Sequence, residues 1–194
     1  MLFRSIYKDL NGDSLLNGSD RAIIGHALPK FIYGMTNTVS YGRFTLNVFI
    51  QGVYGNDILD ENLYEVENGT AGFNKLAYVG TQSWTGPGTS NTLPRVSSVL
   101  RRSTGITSDV IKSGSFLRFK TVTLAYELPL PRVTTVFKSA TIYATVQNLL
   151  TITKYPGYDP EVNSFPTSNS LSLGTDYNAY PNYRTYLLGV HFGF

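Results

Sequence analysis

The residues from Tyr183 to Phe194 (YRTYLLGVHFGF) alternate strictly: Tyr186, Leu188, Val190, Phe192 and Phe194 fall on one face of a period-two strand, and Thr185, Gly189, His191 and Gly193 on the other. The first face is apolar or aromatic; the second carries small and polar groups. A strand of this kind at a sheet edge exposes a row of N–H and C=O groups, which templates aggregation unless the sheet closes. Closure into a barrel within lipid meets both demands, because apolar side chains face acyl chains, polar ones face the lumen, and every backbone group finds a partner. The expectation is an all-β chain whose strands belong to a transmembrane antiparallel β-barrel.

The same alternation recurs earlier in the chain. It predicts strands over about 31–41, 43–54, 115–127, 139–150 and 183–194. Phe44, Leu46, Val48 and Ile50 oppose Thr45, Asn47, Phe49 and Gln51; Ala140, Ile142, Ala144 and Val146 oppose Thr141, Tyr143, Thr145 and Gln147. Between 115 and 127 the phase slips. Leu117 and Phe119 share one face, while Val122, Leu124 and Tyr126 share the other, so a bulge near Lys120 or a strand leaving the membrane band is expected. Connections alternate between short (Gly42; Leu128 to Lys138) and long, polar ones (Gly55 to Ser113; Thr151 to Asn182). That asymmetry is the mark of outer-membrane barrels, with short periplasmic turns and long extracellular loops, and it directs Phe194 to the periplasm. Within the first long loop, Asp57 to Val66 (DILDENLYEV) has the character of a short helix.

Composition narrows the class further. Only 15% of the 194 residues are charged, 13% are aromatic and 18 are glycine. No apolar run approaches the roughly 20 residues of a spanning helix, which excludes a helical membrane protein. Zero cysteines exclude a disulfide scaffold and a thiol nucleophile. The net charge of +3 contains no basic block longer than Arg101 and Arg102, so no nucleic-acid partner is expected. Membrane barrels need about eight strands or more, and no apolar leader follows Met1. The expectation is a C-terminal piece of a larger barrel, or a chain that needs a partner chain to close, without plug domain or signal peptide.

The sharpest local motif is DLNGDSLLNGSD, Asp9 to Asp20. Oxygens of Asp9, Asn11, Asp13, Asn17 and Asp20, with the Leu15 carbonyl, fall at the spacing of an EF-hand-like or dockerin-like calcium loop. Ser14 stands where glycine normally eases the turn, and Asp20 where a bidentate glutamate normally sits. An ion-free Asp/Asn/Gly turn is the alternative. No nucleophile, paired-carboxylate or phosphate-cradling motif stands out, so no catalysis is expected.

Five phrases, in order, resemble the C-terminal end of SusC/RagA-type TonB-linked outer-membrane transporters: DLNGDSLLNGSDRAIIG, FIYGMTNTVSYGRFTLNVFIQGVYGNDI, SGSFLRFKTVTLAYELP, ATVQNLLTITKYPGYDPEV and YPNYRTYLLGVHFGF. The resemblance implies a barrel of about 22 strands that imports oligosaccharides or peptides across the outer membrane of Bacteroidota. It further implies a SusD-like surface lipoprotein as lid, TonB acting through a plug elsewhere in the barrel protein, and outer-membrane lipid around the wall. The last strand resembles an assembly signal, with Gly189, Phe192 and Phe194 in place and Leu187 where a polar residue is common. Among the loop aromatics, Trp84, Tyr158 and Tyr177 are candidates for stacking against a glycan or peptide ligand; packing of the loops on each other accounts for them equally well. Two readings of other classes stay open on the residues: a soluble calcium-dependent carbohydrate-binding β-domain, and a surface barrel that only anchors.

Overall fold

A computed structural model describes residues 8–15, 17–67, 74–90, 93, 95–96, 106–130, 137–162, 164 and 173–194. The chain runs through β1 (Phe31–Tyr41), β2 (Phe44–Tyr54), β3 (Asp57–Asp60), α1 (Glu61–Glu67), α2 (Ala77–Gln82), β4 (Ile111–Ser113), β5 (Phe116–Glu127), β6 (Ser139–Thr153), β7 (Thr175–Asp176) and β8 (Thr185–Gly193). It divides into two compact units: a sheet unit of Ala27–Asp57, Ser113–Val162 and Tyr180–Phe194, and a loop unit of Met1–His26, Ile58–Lys112 and Asn163–Ala179.

The sheet unit is five antiparallel strands in the order β1-β2-β5-β6-β8. Its register converts the alternation of each strand into two continuous faces. Tyr41, Phe44, Tyr126, Ile142 and Val190 form one row across all five strands, and Val39, Leu46, Leu124, Ala144 and Leu188 form the next. On the other face, Thr38, Asn47, Thr123, Thr145 and Leu187 make a row, then Thr36, Phe49, Thr121, Gln147 and Thr185. Hydroxyl and amide groups on that face bond across strands, as Asn47 does to Thr38 at 2.8 Å and Thr123 with Thr145 at 2.8 Å. The pairing of Thr153 with Phe116 carries β6 beyond position 150, where its alternation fades.

The phase slip in β5 is a bulge. Phe49 pairs with Thr121 and Ile50 with Phe119, so Lys120 is the extra residue. Against β6 the same break falls between Phe119, opposite Leu150, and Thr121, opposite Gln147; there Asn148 takes up the irregularity with φ 52. Inserting one residue moves all later side chains to the opposite face. Leu117 and Phe119 therefore share the apolar face with Val122, Leu124 and Tyr126.

Two glycines on the strands make room for tyrosine rings lying flat across the neighbouring strand. Gly52 opposes Tyr33, and an added Cβ would stand 2.1 Å from the ring; Gly189 opposes Tyr143, with 2.4 Å. The β1–β2 turn is the two-residue Gly42-Arg43 loop, with Gly42 at φ 58, as a primed hairpin turn requires. This turn, the ends of β5 and β6 near Glu127 and Ser139, and the end of β8 lie at one end of the sheet, while the longer connections leave from the other.

The loop unit has its own small core of Ile58, Val79, Trp84, Leu93 and Val110. It also has a three-stranded sheet in the order β4-β3-β7, in which β3 and β7 run parallel and pair Asp60 with Asp176. Here the structure corrects the expected helix over Asp57 to Val66. The first four residues form β3, paired with a segment more than a hundred positions away. The Asp60 carboxylate then accepts the Leu63 N–H at 2.9 Å, a cap that starts α1 only at Glu61.

Candidate functional site

A dense polar cluster lies on the polar face of β5. Arg118 is 2% exposed, and its guanidinium bonds Asp159 through Nη2 and Glu161 through Nη1 at 3.0 Å. Glu161 also takes Lys120 Nζ at 3.2 Å. The Asp159 carboxylate further accepts the N–H groups of Glu161 (2.8 Å) and Asn182 (2.9 Å). Burial pushes the Asp159 carboxyl up, but these hydrogen bonds and the Arg118 charge outweigh it and hold the group below the usual carboxylate range. Buried Tyr155 continues the cover, its ring occupying the space a Cβ on Gly157 would need. The segment after β6 is thus fastened by two acids to two bases of β5. This staple joins positions some forty apart, so no local pattern announces it; Arg118 on the polar face, followed by Lys120, is the one visible clue.

In the calcium-like turn the acidic side chains bond nearby backbone groups. Ser14, at the position where glycine is usual, adopts φ 63, and Asp9 accepts the N–H groups of Gly12 (2.6 Å) and Ser14 (2.8 Å). Asp13 accepts from Asn11 and from the Leu15 N–H, and Asn17 caps the 3-10 turn Gly18–Asp20 in a reciprocal box with Asp20. Backbone N–H groups of Asn17 and Leu10 lower the Asp20 pKa. The donor set suits a hard cation, yet its carboxylates face backbone N–H groups. Among the described residues no three His, Asp or Glu side chains converge as a metal cluster.

The three candidate aromatics have different surroundings. Trp84 is 8% exposed within the loop-unit core, whereas Tyr158, in the sheet unit, is 91% exposed. Tyr177 lines a cavity of about 360 Å³ in the loop unit, with Leu59, Glu61, Tyr64, Glu65, Ile106 and Val110. Close to that cavity lies a buried carboxylate pair that sequence reading passes over. Asp60 and Asp176 sit side by side in register, and Asn62 Nδ2 donates to Asp176 at 3.0 Å. Burial raises the Asp60 pKa and the Asp176 charge adds to the rise; the Leu63 N–H and Lys112 act against it.

Of the assembly-signal candidates, Gly189 lies beneath the Tyr143 ring. Phe192 and Phe194 flank Phe137, at ring distances of 5.1 and 5.3 Å.

No family model matches the chain. It is 35% identical over 193 residues to TonB-dependent receptor P3 of Formosa agariphila, covering 97% of this chain and 19% of that protein. To TonB-dependent receptor SusC of Bacteroides thetaiotaomicron it is 29% identical over 195 residues, covering 98% and 18%. The chain thus spans about a fifth of the length of the curated relatives it matches. Among solved structures, the RagAB peptide transporter superposes with a TM-score of 0.76 at 26% identity, over 92% of this chain and 19% of that one. The RagAB peptide importer in its open-open state gives 0.71 at 27%, over 86% and 17%. A two-faced antiparallel sheet with one short-turn end, matched along nearly its whole length in sequence and in fold, makes this chain a β-barrel segment of the SusC/RagA-type TonB-dependent receptors.

Proposed function

We propose that the chain forms the C-terminal part of the wall of an outer-membrane importer of oligosaccharides or peptides, and that it catalyses nothing itself. The observation that carries this reading is the register, which gathers most apolar side chains of five strands on one face and most hydroxyl and amide groups on the other, where Phe49 and Leu187 are exceptions. The apolar face meets lipid and the polar face lines the lumen. The end bearing Gly42 and Phe192 is periplasmic, and the connections 55–115 and 154–184 are extracellular, where a SusD-like lipoprotein closes over the ligand. TonB supplies energy through the plug of the whole receptor. Gly189, Phe192 and Phe194 serve recognition by the assembly machinery.

Asp9, Asn11, Asp13, Leu15, Asn17 and Asp20 are proposed to hold calcium. The ion would cross-link the turn and rigidify the chain entering β1.

The test is nutrient uptake by a strain lacking the full receptor gene. Loss of growth on a defined glycan or peptide, restored by the receptor only when TonB is functional, is the expected outcome. Unchanged growth on every nutrient tried, with the receptor present in the outer membrane, would leave an anchor barrel as the better account.

A further inference from the structure

The loop-unit cavity has a lining whose chemistry selects among ligands. Leu59 and Ile106 give it aliphatic wall, and Val110 beside them is itself fully withdrawn from solvent. Tyr64 and Tyr177 contribute aromatic surface. The remaining two lining residues are Glu61 and Glu65, one helical turn apart on α1 and so on the same side of it. Both are half-buried, and no lysine or arginine among the described residues makes an ion pair with either. Lys75, the nearby cation, directs its Nζ to the Glu65 carbonyl oxygen at 2.9 Å. Asp60, Asp176 and Glu67 add negative charge around the same helix, against Lys112 and Lys75.

Resting on the importer reading, we propose that this cavity is a subsite for cationic, partly apolar peptides. A peptide carrying ammonium or guanidinium groups beside aliphatic ones places its charge against the two carboxylates and its hydrocarbon against Leu59 and Ile106. At about 360 Å³ the cavity is at the small end of ligand sites. It holds a few side-chain groups and not a whole oligomer, so it grips one portion of a longer ligand. Neutral sugars also stack on tyrosine and hydrogen-bond carboxylates, but the aliphatic surface of Leu59 and Ile106 offers their hydroxyls no partner. Anionic glycans meet like charge.

The experiment is calorimetric titration of the full-length receptor in nanodiscs with the peptides Lys-Leu-Lys-Leu and Glu-Leu-Glu-Leu and with maltohexaose. Lys-Leu-Lys-Leu is expected to bind tightest and to weaken as salt is raised. Glu61→Gln combined with Glu65→Gln should weaken it about tenfold or more. Glu61→Lys combined with Glu65→Lys should shift preference to Glu-Leu-Glu-Leu, a gain that misfolding cannot imitate. Equal binding of the three probes, tighter binding of maltohexaose, or unchanged affinity in the Gln pair overturns the subsite. Uptake in cells separates this from failure of the importer reading. TonB-dependent uptake with unaltered ligand preference in the Gln pair sinks the subsite alone, whereas no TonB-dependent uptake by the parent receptor sinks both.

Discussion

Arg118 on β5 and Asp159, 41 positions later, form an ion pair with side chains only 2% and 5% exposed. Removing one partner of such a pair leaves a desolvated charge, which costs about 3–5 kcal/mol. Arg118→Met or Asp159→Asn should therefore lower the urea midpoint of the receptor in lipid and expose the segment after β6 to protease. The double change to Met and Leu should recover most of the loss. Lys120→Met, which removes a partly exposed contact to Glu161, is expected to cost under about 1 kcal/mol. A single Arg118 variant with parental stability would refute the staple.

The two perturbed aspartates should respond to pH in opposite senses. Asp159 titrates below its unfolded value of about 3.9, so its stabilisation is present above that pH and is lost as pH falls through the folded value. Asp60 titrates above its unfolded value, chiefly through burial. Its contribution is fully present below about pH 3.9 and is lost as pH rises through the folded value. Protection of the α1 amides, their exchange measured relative to the intrinsic rate at each pH, should rise on acidification from neutrality. In Asp60→Asn, which keeps the cap to Leu63, that rise should be lost.

Lys120 is the extra residue of the β5 bulge. Its deletion should leave Thr121 and Thr123 on the polar face and Val122 and Leu124 on the apolar one, because Phe119 then runs into Thr121 in unbroken alternation opposite Ile50 and Phe49; the pairing with β6, where two residues separate Leu150 from Gln147, loses its match instead. The expected result is folded, heat-modifiable receptor on unheated gels with a lowered urea midpoint. Lys120→Ala, which keeps the bulge, should match the parent.

At Gly189 the constraint is the Tyr143 ring. Gly189→Val forces that ring off the strand and should cost about 1–3 kcal/mol as overpacking, seen as less folded receptor in the outer membrane. Adding Tyr143→Ala should restore folding. If the double variant fails as badly as the single one, Gly189 is read directly by the assembly machinery and not by Tyr143.

Calcium is expected to bind the full receptor in calorimetry and to protect 9–20 from proteolysis. Asp9→Ala with Asp13→Ala should abolish both effects. Heat evolved equally by that variant would place the ion elsewhere.

The barrel strands were written locally, because a strand half in lipid and half in a wet lumen must alternate along its own sequence. Tyr186 to Phe194, like Phe44 to Gln51 and Ala140 to Gln147, carried that information, and DLNGDSLLNGSD, from Asp9 to Asp20, carried the turn in which Ser14 takes φ 63. Alternation also located the irregularity at Lys120, yet could not say whether it was a bulge or the end of a membrane span. Only pairing with both neighbours decides that, since register is a property of two strands and not of one. The same reason hid β3 inside an expected helix: Asp57–Asp60 becomes a strand because Thr175–Asp176 arrives beside it. The staple of Arg118 with Asp159 and Glu161, the Asp60–Asp176 pair and the cavity at Glu61 and Glu65 likewise depend on tertiary structure. Buried charge and a walled cavity arise only when distant segments meet in the same place, and no single stretch of sequence records which partner will arrive.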